Sequence, residues 1–146
     1  MPRSPVCVDA SIVVALVTPE AQSEQALSLW AEWMEGEVKV VAPTLLRCEV
    51  ASALRRKVVR ALMSLEDARR ALEAALSLDI EYLDPPQLPL CAFDLAARLN
   101  RPAAYDTHYL ALAQMLEAEF WTADERLYNA VQDEFPRIHW LGAHKR

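Results

Sequence analysis

Five short β-prone runs alternate with longer stretches of helical periodicity, and few folds accept that alternation. The runs are 6–8, 38–42, 80–83, 120–122 and 138–141. The first, Val6-Cys7-Val8, is apolar at every position rather than at every second one, which suits a parallel strand covered on both faces. Strands that alternate with helices predict an α/β chain: a parallel sheet with helices on both sides. A length of 146 residues suits one domain over 1–146 with one core. No internal repeat, low-complexity segment or long linker divides it.

The helices follow from spacing and caps. Ser11 is expected to cap a helix over 12–17. Thr18 would cap the next, with Pro19 in its first turn. That helix carries Ala26, Leu29, Trp30, Trp33 and Met34 at helical spacing and should stop at Gly36. Pro43 opens a helix to about Ala61 whose stripe, Leu46, Glu49, Val50, Ala53 and Lys57, has a carboxylate where core is expected. Ser64 caps another, with Glu66 and Asp67 in its first turn and an apolar face of Leu65, Ala68, Leu72, Ala75 and Leu76. Further helices are predicted over 88–100, 105–118 and 124–131. The tail, His144-Lys145-Arg146, is expected to fray.

Two glycines in the whole chain, Gly36 and Gly142, argue against a glycine-rich phosphate cradle. Cys7, Cys48 and Cys91 are odd in number and widely spaced, which predicts buried free thiols in a reducing compartment. The apolar run near the N-terminus is too short for a signal peptide, and nothing approaches the roughly 20 apolar residues of a membrane span. A cytoplasmic protein without a membrane partner is expected. The net charge of −6 weighs against non-specific binding to a polyanion. It does not exclude a local basic patch, and acids in an active site add to the negative count.

Four acids stand where elements begin or end, or where core is expected. Asp9 closes the first strand, Glu49 interrupts an apolar helix stripe, Asp106 opens a helix, and Asp124 follows the fourth strand. Ligands of open parallel sheets bind beyond the carboxyl ends of the strands. Oxygen-only clusters prefer hard cations such as Mg²⁺ and Mn²⁺, which can activate water and neutralise charge on a phosphodiester. Each acid also has a plainer reading. Asp9 and Asp124 can be helix caps, Glu49 can reach solvent from the stripe edge, and Asp106 can serve its helix dipole.

Four segments, in order, resemble those of the PIN-domain superfamily, and within it the VapC-type toxin ribonucleases of toxin–antitoxin pairs. They are V-D-A-S at 8–11, C-E-V-A-S-A-L at 48–54, A-Y-D-T-H-Y-L-A-L-A at 104–113 and W-T-A-D-E-R-L at 121–127. The resemblance covers nearly the whole chain. It implies an α/β/α sandwich with strand order 3-2-1-4-5 and a Mg²⁺ or Mn²⁺ site of Asp9, Glu49, Asp106 and Asp124. Ser11 and Thr122 match the small hydroxyl residues near those acids and are expected to position water, phosphate or a carboxylate. An RNA substrate, an antitoxin partner and a homodimer are implied as well.

Two other classes compete with the endoribonuclease. One is a catalytically silent PIN-like module that binds RNA or protein. The other is a receiver-type or phosphoryl-transfer domain with Asp9 as nucleophile, which lacks the usual second acid beside it. Arg47, Arg55, Arg56, Lys57 and Arg60 share one helix; a solvated face is the plain reading, a phosphate-tracking patch beside Glu49 the functional one. Trp30, Trp33 and Met34 read as core, with any exposed remainder offering a groove for an antitoxin helix. His108 and His139 read as structural rather than as ligands.

Overall fold

The computed structural model describes residues 4–144 and places all five strands in one parallel sheet. In chain order the elements are β1 (Val6–Val8), α1 (Ala10–Val17), α2 (Ser23–Glu35), β2 (Val40–Ala42), α3 (Leu45–Val59) and α4 (Leu65–Leu76). They continue as β3 (Glu81–Tyr82), α5 (Leu88–Arg98), α6 (Tyr105–Met115), β4 (Glu119–Thr122), α7 (Glu125–Val131) and β5 (Ile138–Trp140). The sheet order is β3-β2-β1-β4-β5, the expected 3-2-1-4-5. Right-handed crossovers place α1–α4 on one face and α5–α7 on the other. Helix packing agrees, since α1, α3 and α4 meet one another while α5 lies on α6. The result is an α/β/α sandwich.

β1 and β2 are buried at every position, as a strand covered on both faces requires. The chain leaves β1 towards β2 and returns to its other side only at β4. The gap between the carboxyl ends of β1 and β4 is therefore the topological switch point, where parallel sheets open a crevice. Register brings Val8 opposite Trp121, which sets Asp9 beside Thr122.

Several local expectations shift. Asp9, not Ser11, caps α1, accepting from the Ser11 and Ile12 amides. Thr18 does not start α2. Its hydroxyl donates to Val14 O at 2.8 Å, closing α1, and α2 begins at Ser23, whose hydroxyl receives the Glu20 amide. The apolar face of α4 is built from Ala68, Ala71 and Ala75, whereas Leu65 and Leu76 are 65% and 51% exposed. At about 100° per residue those two leucines fall roughly a quarter turn from the alanine face, which packs closely against α1 and α3. Of the three thiols only Cys7 is buried; Cys91 is half-buried and Cys48 exposed, and all are free. Trp33 is core, edge-on to Trp121 at 6.1 Å, so it cannot wall an open groove for a partner helix. His144 is packed rather than frayed, edge-on to Trp121 at 5.7 Å, while Lys145 and Arg146 lie outside the described residues.

With so few glycines, the helices end by another route. Glu37, Ala61, Asn100 and Glu117 take φ of 54°, 58°, 54° and 52° just past α2, α3, α5 and α6. In each case the next amide reaches back to the last turn: Val38 to Trp33 O, Leu62 to Lys57 O, Arg101 to Ala96 O and Ala118 to Ala113 O. These are Schellman ends whose left-handed residue carries a side chain. Ala61 is exposed and loses only a methyl on replacement. Ala61→Gly is expected to raise stability by about 0.5–1 kcal/mol, relief of left-handed strain outweighing the added freedom of the unfolded chain. Urea unfolding checks this, and a less stable variant would contradict it.

Candidate active site

Asp9, Ser11, Glu49, Asp106 and Asp124 all line one cavity of about 380 Å³ at the switch point, with Thr122 immediately beneath Asp9. Each acid comes from a different element: the end of β1, the middle of α3, the first turn of α6 and the cap of α7. The fold thus gathers residues that are up to 115 positions apart, from Asp9 to Asp124.

Asp9 is the most constrained of them. The Ser11 hydroxyl donates to its Oδ1 at 2.5 Å and the Thr122 hydroxyl to its Oδ2 at 2.6 Å. Each hydroxyl is itself held by a backbone donor at the exit of β4. The Ala123 amide reaches Ser11 Oγ at 2.8 Å and the Asp124 amide reaches Thr122 Oγ1 at 3.0 Å. Two parallel relays therefore run from β4 to the two oxygens of one carboxylate. Both hydroxyls thus hold the Asp9 carboxylate in place.

These donors favour the ionised form, but burial opposes them more strongly, and Asp106 adds like charge. Asp9 is pushed up from an ordinary 3.8 to about 7. Between pH 4 and 7 the native state thus keeps a proton that the unfolded chain has released. In that window Asp9 lowers stability as pH rises, by up to about 1.4 kcal/mol per pH unit. In metal-free buffer, Asp9→Asn should gain stability relative to the parent as pH climbs from 4.5 to 7.5. A difference between the two proteins that stays constant over that range, by urea unfolding, would contradict the raised pKa of the buried Asp9.

The other acids have partners of their own. Glu49 accepts from the hydroxyl of Tyr109, which reaches across from α6. Tyr109 is buried and stacks on Phe120 at 6.4 Å. Burial, reinforced by the adjacent Glu49, raises its phenol far above physiological pH, so it stays a donor. Asp106 lies 3.4 Å from Arg101, whose backbone is fixed as part of the α5 end. Asp124 is exposed and caps α7, accepting from the Arg126 and Leu127 amides at 3.0 and 3.2 Å. The start of α6 is anchored by buried Thr107, which donates to Ala92 O on α5 at 2.8 Å.

The donor set fits a hard divalent cation. Every candidate ligand is a carboxylate, the cavity presents no histidine or cysteine, and a cation would offset the cost of ionising the buried Asp9. The four acids share a cavity but are not preassembled as ligands. Among the described residues no three His, Cys, Asp or Glu side chains stand together as a ready metal cluster. Arg101 draws Asp106 aside, Tyr109 holds Glu49, and Asp124 is turned onto its helix.

Three polar lining residues, Glu20, Gln22 and Tyr109, carry no site role in the sequence pattern. Tyr109 carried a signal, standing three residues after Asp106 and so on the same helical face. Arg56 also lines the cavity, whereas Arg47 lies over the Tyr82 ring at 5.0 Å. His108 bonds Ala104 O at 2.5 Å, and His139 stacks on Trp121 at 4.8 Å; both are structural, as expected. Tyr109→Phe keeps the ring and removes only the bond to Glu49. It is expected to cost about 1.5–3 kcal/mol, in line with a hydrogen bond to a charged group. Equal stability by chemical unfolding would show that the pair contributes nothing.

Fold and site together define a parallel α/β protein with an acidic cavity at its switch point. Residues 6–132 match the PIN domain model. VapC ribonuclease Mb0985 of Mycobacterium bovis is 32% identical over 131 residues, covering 90% of this chain and 94% of its own. Ribonuclease VapC9 of Mycobacterium tuberculosis matches to the same extent. Ribonuclease VapC1 of M. tuberculosis is 40% identical over 87 residues, 59% of this chain and 63% of that one. The chain belongs to the PIN-domain family, among its VapC ribonucleases. Two crystal structures share the fold, each with a TM-score of 0.66. PAE2754 from Pyrobaculum aerophilum is 22% identical, with 96% of this chain and 90% of that one covered. VapC20 of M. tuberculosis, a sarcin–ricin loop cleaving toxin, is 18% identical, with 89% and 95% covered.

Proposed function

We propose that this protein is a Mg²⁺- or Mn²⁺-dependent endoribonuclease that hydrolyses RNA phosphodiester bonds as the toxin of a type II toxin–antitoxin pair. The observation that carries this reading is the meeting of four carboxylates, from four elements, in one cavity at the switch point. The names of the relatives support it. A silent RNA- or protein-binding module would not need all four acids at one cavity.

Asp9, Glu49, Asp106 and Asp124 are the residues that would hold the ion. Bound there, a divalent cation supplies an activated water and offsets charge on the phosphodiester. The chain's own part is positioning. Ser11 and Thr122 fix both oxygens of Asp9, and Tyr109 fixes one oxygen of Glu49. Arg101 neutralises Asp106 until a stronger cation competes for it.

The proposed setting is cytoplasmic, and among the described residues no helix is long and apolar enough to cross a membrane. A cognate antitoxin is the proposed inhibitor, presenting a basic side chain to the acids. Self-association as a homodimer is proposed on the exposure of Leu62, Leu65, Leu90 and Phe93, which are 65–68% accessible.

Purified protein should cut single-stranded RNA in Mg²⁺ or Mn²⁺ and fall silent in EDTA. A protein that binds the ion only when folded gains about 2.7 kcal/mol at a hundredfold excess over Kd. Asp106→Asn should lose most of that gain along with cleavage. Cleavage that survives EDTA, or an Asp106→Asn variant that responds to Mn²⁺ as the parent does, would overturn the metal assignment.

A further inference from the structure

Among the described residues, five acids line the cavity, Asp9, Glu20, Glu49, Asp106 and Asp124, against a single cation, Arg56. RNA brings one negative charge per nucleotide to that wall. A divalent ion held by four of the acids would leave the fifth, Glu20, and it would also leave the flanking phosphates without a partner. Glu20 is already occupied: Lys57 Nζ lies 2.7 Å from its Oε1. Arg56 is exposed and, among the described residues, has no ion-pair or side-chain hydrogen-bond partner.

We propose that Arg56 is the cavity's phosphate-binding residue, taking an RNA phosphate adjacent to the one at the four acids, and that the Glu20–Lys57 pair keeps it free to do so. This rests on the RNA-cleaving function proposed above and names how the same cavity holds its substrate.

The placement follows from helix geometry. Arg56 stands seven residues after Glu49 on α3, two turns along the same face, with the small Ala53 between them on the cavity wall. Seven residues advance about 10 Å along the axis, which suits a neighbouring phosphate rather than the one being cut. A guanidinium matches phosphate oxygens bidentately and stays charged at any working pH. The other basic residues of α3 are placed differently. Arg55 and Arg60 do not line the cavity, and Arg47 faces a separate groove over Tyr82. Without Lys57, the Glu20 carboxylate, which lines the same cavity, would be open to pair with Arg56.

The test measures binding of a fluorescent single-stranded RNA by anisotropy across a salt series. The full chain is used, carrying Asp106→Asn so that cutting cannot interfere. Arg56→Gln should weaken binding about tenfold at low salt and flatten the log–log salt slope by about 0.7, the loss of one phosphate contact to a single strand. Arg56→Lys should restore most of the slope. In the cleaving parent, Arg56→Gln should raise KM more than it lowers kcat and leave the Mn²⁺-induced rise in Tm unchanged. Lys57→Gln should weaken binding when Arg56 is present and add little once Arg56 is gone. Unchanged binding and salt slope in Arg56→Gln would overturn the role of Arg56. An equal Lys57→Gln effect with and without Arg56 would overturn the role of the pair. Both results leave RNA cleavage by the parent standing. A parent that neither binds nor cuts RNA would instead remove the nuclease reading itself.

Discussion

The carboxylate of Asp9 is tied to β4 through two hydroxyls, and the rest of the site depends on that tie. Ser11 and Thr122 each receive a backbone amide from the exit of β4 and pass a hydrogen bond on to one oxygen of Asp9. One network therefore ends β1, starts α1, and locks the two central strands at the point where the crevice opens. Because the amides belong to 123 and 124, the position of Asp124 is set by the same bonds that orient Asp9. The cost is electrostatic. Asp9 is almost without solvent, and the donors around it do not outweigh the loss of hydration, so its proton is held up to about pH 7.

The remaining acids are held in graded fashion. Glu49 is restrained by a phenol from α6, Asp106 by a guanidinium from the loop that precedes its helix, and Asp124 only by its own helix amides. A buried carboxylate flanked by less buried ones can accept a cation without a preformed cage, consistent with the way Mg²⁺ keeps much of its water. The scaffold beneath is apolar and closely packed: Phe120 and Tyr109 stack between the sheet and α6, so the ring that fills the core also carries the hydroxyl that reaches Glu49. Core packing and site geometry share this one residue, which is why its functional role is hard to see from composition.

Much of the fold and most of the acid set were legible in the residues. The continuous apolar Val6-Cys7-Val8, the charged interruption at Glu49 and the strand-then-acid pattern at Trp121–Asp124 are local patterns, and local patterns follow from backbone and burial preferences. What failed were contests between near-equal neighbours. Asp9 and Ser11 are both good caps, and the choice fell to Asp9 because Ser11 was needed across the sheet. Leu65 and Leu76 belong to an apolar stripe by spacing, yet alanines won the buried face because α4 lies close to α1 and α3. Gly36 caps α2 as expected, whereas the ends of α3, α5 and α6 had no glycine to mark them, since Ala61, Asn100 and Glu117 accept left-handed backbone in its place.

By itself, then, the sequence determined the alternation of strand and helix and the parallel sheet that follows from it, and it marked four acids at element ends or in an apolar stripe, because each of these is written in a window of a few residues. Tertiary structure alone decided which side chains serve those acids. Thr122 reaches Asp9 through strand register, Tyr109 reaches Glu49 through the packing of α6 over the sheet, and Arg56 enters the cavity while its neighbours on α3 do not. Those contacts join residues 60 to 113 positions apart, and no local preference encodes such pairs. They exist only once strand order and helix packing have set the distances.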